Sequence, residues 1–144
     1  MSKIIYIDTE TCCFPESEDI KENDELLIQL AYSLVENDIM SFENVYCKNQ
    51  LTIRPSAMAI HGITPERLVN EPYIRNTDEY IRLKNLDDDM YVIAHNLPFD
   101  KEIMRREGIE SIQPYISTKP PSSMARFASS IPANSNSIQK GMIN

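Results

Sequence analysis

The sequence predicts an α/β domain built on a mixed sheet, and three observations predict it. Short apolar runs rich in β-branched residues occur at 3–8 and 90–94, the right length for buried strands. Two further apolar runs, 26–35 and 39–47, flank the turn residues Glu36-Asn37-Asp38 as the arms of a hairpin do. Helical patterns with start and stop signals follow the hairpin and again follow the 90–94 run. Three consecutive antiparallel strands, then helix, strand and helix, make a mixed α/β sheet.

Each element has a local reason. Residues 15–25 are polar and acidic, hence loop. Thr64-Pro65-Glu66 places a cap residue before a proline at the first helical position, which predicts a short helix over about 65–70. Asn76 or Thr77 can cap a second helix running through Tyr80, Ile81 and Leu83 to about Leu86, stopped by Asp87-Asp88-Asp89. Pro98 to Glu107 reads as helix, with Phe99 and Ile103 one turn apart and Gly108 as terminator. Composition then shifts. Residues 111–144 contain eight Ser and four Pro, with a weak helical pattern only around Ser122–Ser130. The expected organisation is a core over 1–112 and a Ser/Pro-rich segment over 113–144, a remnant partly helical or poorly ordered.

At 144 residues and 16.6 kDa the chain has the size of one domain. No apolar run reaches the roughly 20 residues needed to span a bilayer, and an acid interrupts the N-terminal run too early for a signal peptide. A cytoplasmic protein without membrane contact is the expectation. Residues 1–110 hold all 22 acids and 11 of the 14 bases, a net charge of −11, whereas 111–144 hold three bases and no acid. A body so acidic excludes broad electrostatic gripping of a polyanion. Contact with nucleic acid would have to be local, metal-mediated or confined to a groove. Cys12, Cys13 and Cys47 form no spaced pair, so reduced thiols are expected and a zinc site is not.

Three segments carry chemistry. Residues two apart on a strand project from one face, so Asp8 and Glu10 of Asp8-Thr9-Glu10 point the same way. Adjacent carboxylates repel unless a cation lies between them, and hard oxygen donors suit Mg²⁺ or Mn²⁺. The same pair also describes any strand that ends in a solvated loop. In Ala94-His95-Asn96-Leu97-Pro98-Phe99-Asp100 a strand turns into a helix with Asp100 in its first turn, where an acid also merely complements the helix dipole. If the strands at 3–8 and 90–94 run parallel, their ends share the sheet edge where ligands of open α/β sheets collect. In Ala59-Ile60-His61-Gly62-Ile63-Thr64-Pro65, Gly62 permits a sharp turn or close approach, flanked by apolar Ile60 and Ile63. A helix–turn–helix joint with a hydrogen-bonded histidine accounts for that segment equally well.

Taken together these segments resemble the DnaQ-like, DEDD-type 3′–5′ exonucleases of the ribonuclease H-like superfamily. Ile7-Asp8-Thr9-Glu10-Thr11 resembles the first exonuclease motif and Ile28-Gln29-Leu30-Ala31-Tyr32 the second strand. Ile60-His61-Gly62-Ile63-Thr64 is similar to the nucleotide-contacting turn, and His95-Asn96-Leu97-Pro98-Phe99-Asp100 to the second exonuclease motif. The resemblance implies a ribonuclease H-like fold and two-metal hydrolysis of a 3′-terminal phosphodiester of single-stranded DNA or RNA. It implies Asp8, Glu10 and Asp100 as catalytic residues and as ligands of two Mg²⁺ or Mn²⁺ ions. Thr9, Thr11, Ile60, His61, Asn96 and Phe99 become the substrate-binding set, and a DNA polymerase is a conceivable partner. Oligomeric state is not implied.

One family feature is missing. The third motif, His-x₄-Asp or Tyr-x₃-Asp, has no counterpart, since no Asp follows Asp100 and no carboxylate side chain follows Glu110. Tyr115 has Lys119 where the acid would stand. The fourth ligand and the general base are therefore absent from this chain. Truncation of the gene product is the first explanation, a split enzyme the second. The third is a catalytically inactive nucleic-acid- or polymerase-binding module that keeps the exonuclease fold. Cys13 also stands where a glycine is usual.

Overall fold

The computed structural model describes residues 3–86, 90–110 and 115–118. Strands β1 (Lys3–Thr11), β2 (Leu27–Glu36) and β3 (Ile39–Tyr46) pair antiparallel in sequence order. Strand β4 (Met90–Ala94) lies parallel to β1 on its other side, and β5 (Tyr115–Ser117) lies parallel to β4. The sheet order is β3-β2-β1-β4-β5. The expected mixed sheet is present with one strand more than the sequence signals. Strand β5 falls beyond residue 112 in Ser/Pro-rich surroundings, and its extended state is set by the edge of β4 rather than by its own pattern.

The pleat of β1 divides its residues cleanly. Ile5, Ile7, Thr9 and Thr11 are buried, whereas Tyr6 and Asp8 are exposed. Ile28, Leu30 and Tyr32 of β2 and Met90 and Val92 of β4 join the same core. Burying each such aliphatic side chain contributes roughly 1.5–3 kcal/mol, which fixes the register because a one-residue slip would reverse the faces. The β2–β3 turn uses Asn37 (φ 52°) and Asp38 (φ 62°), the left-handed pair of a two-residue hairpin turn, in residue types that tolerate it. On the opposite face of the sheet Tyr6, Tyr91, Met40 and Phe42 are exposed.

The helices are short. Helix α1 (Pro55–His61) is not signalled by the sequence, because only Ala57 of its seven residues is buried and no amphipathic period results. It ends on Gly62, whose φ of 71° is the left-handed cap conformation. Helix α2 (Pro65–Leu68) starts on a proline as expected, although the Thr64 side chain makes no capping hydrogen bond. A single 3₁₀ turn (Ile74–Asn76) precedes α3 (Asp78–Lys84). Here Thr77 does cap, its hydroxyl accepting from Tyr80 N–H at 3.2 Å and donating to the Ile74 carbonyl at 2.7 Å. Thr77→Ala is expected to cost about 1 kcal/mol, read as a lower urea midpoint at unchanged slope.

Helix α4 (Leu97–Arg106) turns one face wholly inward. Asp100, Ile103, Met104 and Glu107 recur at helical spacing and all are buried. Its C-terminal arginines hold the acidic loop, Arg106 donating to the carbonyls of Lys21 and Asp24 and Arg105 to that of Glu22. No helix among the described residues is long and apolar enough to cross a membrane. The triple aspartate 87–89 and the helical pattern expected around Ser122–Ser130 lie outside the described residues.

Candidate active site

Strand β4 pairs with β1 only from Lys3 to Tyr6, so beyond Tyr6 the flank of β1 is left for the first turn of α4. Asp100 fills that place. Its Oδ1 accepts from Thr9 N–H at 3.0 Å and from the Thr9 hydroxyl at 2.8 Å. The parallel pairing of β1 and β4 is what brings two segments 91 residues apart to one hydrogen bond. Burial pushes the Asp100 carboxyl above its ordinary value, the Thr9 bonds oppose this, and Asp8 adds repulsion.

Asp8 is exposed and Glu10 half-buried, both on the face of β1 opposite the inward-turned Thr9. Burial first, then the Asp8 and Asp100 carboxylates, push Glu10 above its usual range. Three acids thus repel one another at one strand end, with Asp100 reaching the residue between the other two from the helix-covered side. Hard carboxylate oxygens in that position match a hard divalent cation in chemistry. Among the described residues, however, no three His, Cys, Asp or Glu side chains gather closely enough to hold an ion. Donor type and strand position suit a metal; the side chains as they stand do not enclose one.

The other predicted residues are spread around this strand end. His61 closes α1 and uses both ring nitrogens on backbone. Nδ1 accepts from Ile63 N–H at 3.0 Å, so the proton is on Nε2, which donates to the Thr11 carbonyl at 2.9 Å. The joint described above is therefore what forms, and it ties the Gly62 turn to the end of β1. Ile60 is 69% exposed beside it. Thr11 is buried, so its carbonyl rather than its side chain faces His61. Asn96 is half-buried, and its carbonyl accepts from Phe99 and Asp100 N–H as α4 begins. Phe99 is half-buried and packs against the core.

Thr9 is the residue whose part the sequence disguises. It sits between two acids and suggests substrate contact, but its buried hydroxyl is spent on Asp100. Thr9→Val is expected to cost about 1.5–3 kcal/mol, the order of a hydrogen bond to a charged group. It should also raise the pH at which Asp100 ionises further, because a bond favouring the charged form is lost. A ¹³C-carboxyl NMR titration of both proteins measures this. Glu107, considered below, also escaped sequence reasoning. Its signal was available, since it continues the 100, 103, 104 face of α4 by one helical step.

A known structure shares this architecture. Exonuclease X in complex with 5′ overhanging duplex DNA is similar at 24% identity and TM-score 0.52, over 82% of this chain and 60% of that one. The nuclease domain of 3′hExo, a DEDDh family member bound to rAMP, is similar at 13% identity and TM-score 0.47, over 77% of this chain and 60% of that one. The present chain thus spans 60% of the length of each. A search of curated proteins found no match. The sheet order and the helices packed on it give the fold a ribonuclease H-like architecture. The chain belongs to the RNase_T exonuclease family, whose model matches residues 5–130.

Proposed function

We propose that this exonuclease-family domain removes nucleotides from the 3′ end of single-stranded DNA or RNA by two-metal phosphodiester hydrolysis. The observation that carries this reading is the placement of Asp8, Glu10 and Asp100 at one strand end, where Asp8 and Asp100 raise the cost of ionising Glu10 and Asp8 raises that of Asp100. Asp8 and Glu10, with Asp100, would hold Mg²⁺ or Mn²⁺, which when bound supplies an activated water and neutralises the departing 3′-oxygen. Thr9 keeps Asp100 at the strand end. His61 holds the Gly62 turn beside Glu10, with the exposed Ile60 offering a surface against which a terminal base can pack. Asn96 and Phe99 would line the other side of the nucleotide pocket. Apolar contact of this kind suits a body at −11, which cannot rely on basic grip. Three free, buried cysteines suit a cytoplasmic setting.

A second reading has its own support. Among the described residues no three His, Cys, Asp or Glu side chains gather closely enough to hold an ion. A non-catalytic module that binds nucleic acid or a polymerase accords with that arrangement. A 5′-labelled single strand incubated with the protein and Mn²⁺ separates the two. A ladder of progressively shortened labelled products, abolished by a chelator and by a blocked 3′ end, supports the exonuclease. Release of the label as a mononucleotide would give the opposite polarity and overturn the direction. Binding of the strand without products would establish the module instead.

A further inference from the structure

A cavity of about 500 Å³ lies away from the strand-end acids, between the acidic loop, the start of β2, the 3₁₀ turn and the C-terminal end of α4. Its volume falls within the range of small-ligand sites. None of Asp8, Glu10, Asp100 or His61 lines it. Asp100 and Glu107 lie seven residues apart along α4, roughly 10 Å at the helical rise.

Glu107 gives the cavity its chemistry. It lines the cavity and is only 1% exposed, yet its Oε2 has no hydrogen-bond partner. Its Oε1 accepts only a long bond from Leu27 N–H at 3.4 Å. The nearby cations are already engaged. Arg75 donates through Nε and Nη2 to Glu25 at 2.9 and 2.6 Å, and Lys48 sits 4.7 Å above the Tyr73 ring. Asp24, Glu25 and Glu107 share the cavity lining with Arg75 and Lys48, so an ionised Glu107 leaves it one positive charge short. Glu107 is also the cap of α4, where the helix dipole favours a cation.

We propose that this cavity binds a ligand through one cationic nitrogen donor, a primary ammonium or a guanidinium, held by the Glu107 carboxylate. The carbon stem of such a group has Leu27 and Ile74 to lie against. The donor could come from a free diamine or from a basic side chain of another protein; the chemistry is shared. Binding must follow the ionisation of Glu107, which burial and then Glu25 push up to about 7, against the Leu27 bond and Arg75. The Cys47 thiol also lies within its electrostatic reach, and the Tyr80 hydroxyl donates to its carbonyl at 2.7 Å. A cation prefers the ionised form, so affinity rises as pH rises through that value.

Titration of the full chain with putrescine and with N-acetyl-lysinamide, followed by NMR shifts, tests the proposal. Saturable binding of either probe, about tenfold tighter at pH 8 than at pH 6, is expected for a group titrating near 7. Preference for the diamine or for the lysine analogue assigns the source. Glu107→Gln should abolish both the binding and its pH dependence. Gln50→Trp, at the exposed rim, should block the cavity with Glu107 intact and carries the test should the first variant not fold. No saturation by about 10 mM, affinity unchanged by both variants, or equal binding of AMP as an anion of comparable size would overturn it.

Discussion

Asp8→Ala is expected to reduce Mn²⁺-dependent shortening of a 5′-labelled single strand by at least about 100-fold, since even indirect supports of a metal site cost roughly 10–100-fold when removed. The variant should keep its fold, because Asp8 is exposed and lies outside the buried set of β1. Far-UV circular dichroism and the urea midpoint check that. Asp8 also contributes to the repulsion felt by Glu10 and Asp100, so its removal should lower the pH at which both ionise. Loss of products together with that shift places Asp8 in the reaction. Loss of neither would remove it from the site, and products equal to those of the parent would sink the strand-end reading of catalysis.

The second large effect concerns stability and pH. Glu107 is held protonated in the folded chain up to about 7, against an ordinary value of 4.5. Between those values the native state binds more protons than the unfolded state, so the free energy of unfolding must fall as pH rises across that window. The fall amounts to roughly 3 kcal/mol if the whole shift is expressed, and less if the cavity admits water. Glu10 and Asp100, also pushed upward, act in the same direction at lower pH. Glu107→Gln is expected to flatten the profile and to raise the urea midpoint at pH 8 while changing little at pH 4. An amide oxygen still accepts from Leu27 N–H, so that bond survives the substitution. A profile rising with pH, or one unchanged in the variant, would show that Glu107 ionises freely. Added cationic ligand should restore stability at high pH, since it binds only the folded chain.

Sequence pattern and tertiary contact contributed differently at individual residues. The apolar, β-branched run at 3–8 foretold β1, and Asn37-Asp38 foretold the hairpin, because both are read from neighbours in the chain. Pro65 likewise announced α2. Thr64 looked a better cap than it is, whereas Thr77 performs the function, a distinction that depends on how each chain segment enters its helix. Helix α1 carries almost no amphipathic pattern, and β5 none at all, so neither was legible. The placement of Asp100 beside Thr9 needed the parallel β1–β4 pairing, which no local pattern encodes.

From the sequence alone came the class of fold and the motifs that resemble the exonuclease family, because residue type and short-range spacing are properties of the chain itself. Only the folded chain showed that Thr9 anchors Asp100, that His61 is spent on backbone, and that Glu107 lines a cavity with its Oε2 unpartnered. Those facts turn on burial and on contacts between distant segments, where the balance of desolvation and hydrogen bonding assigns each group its chemistry.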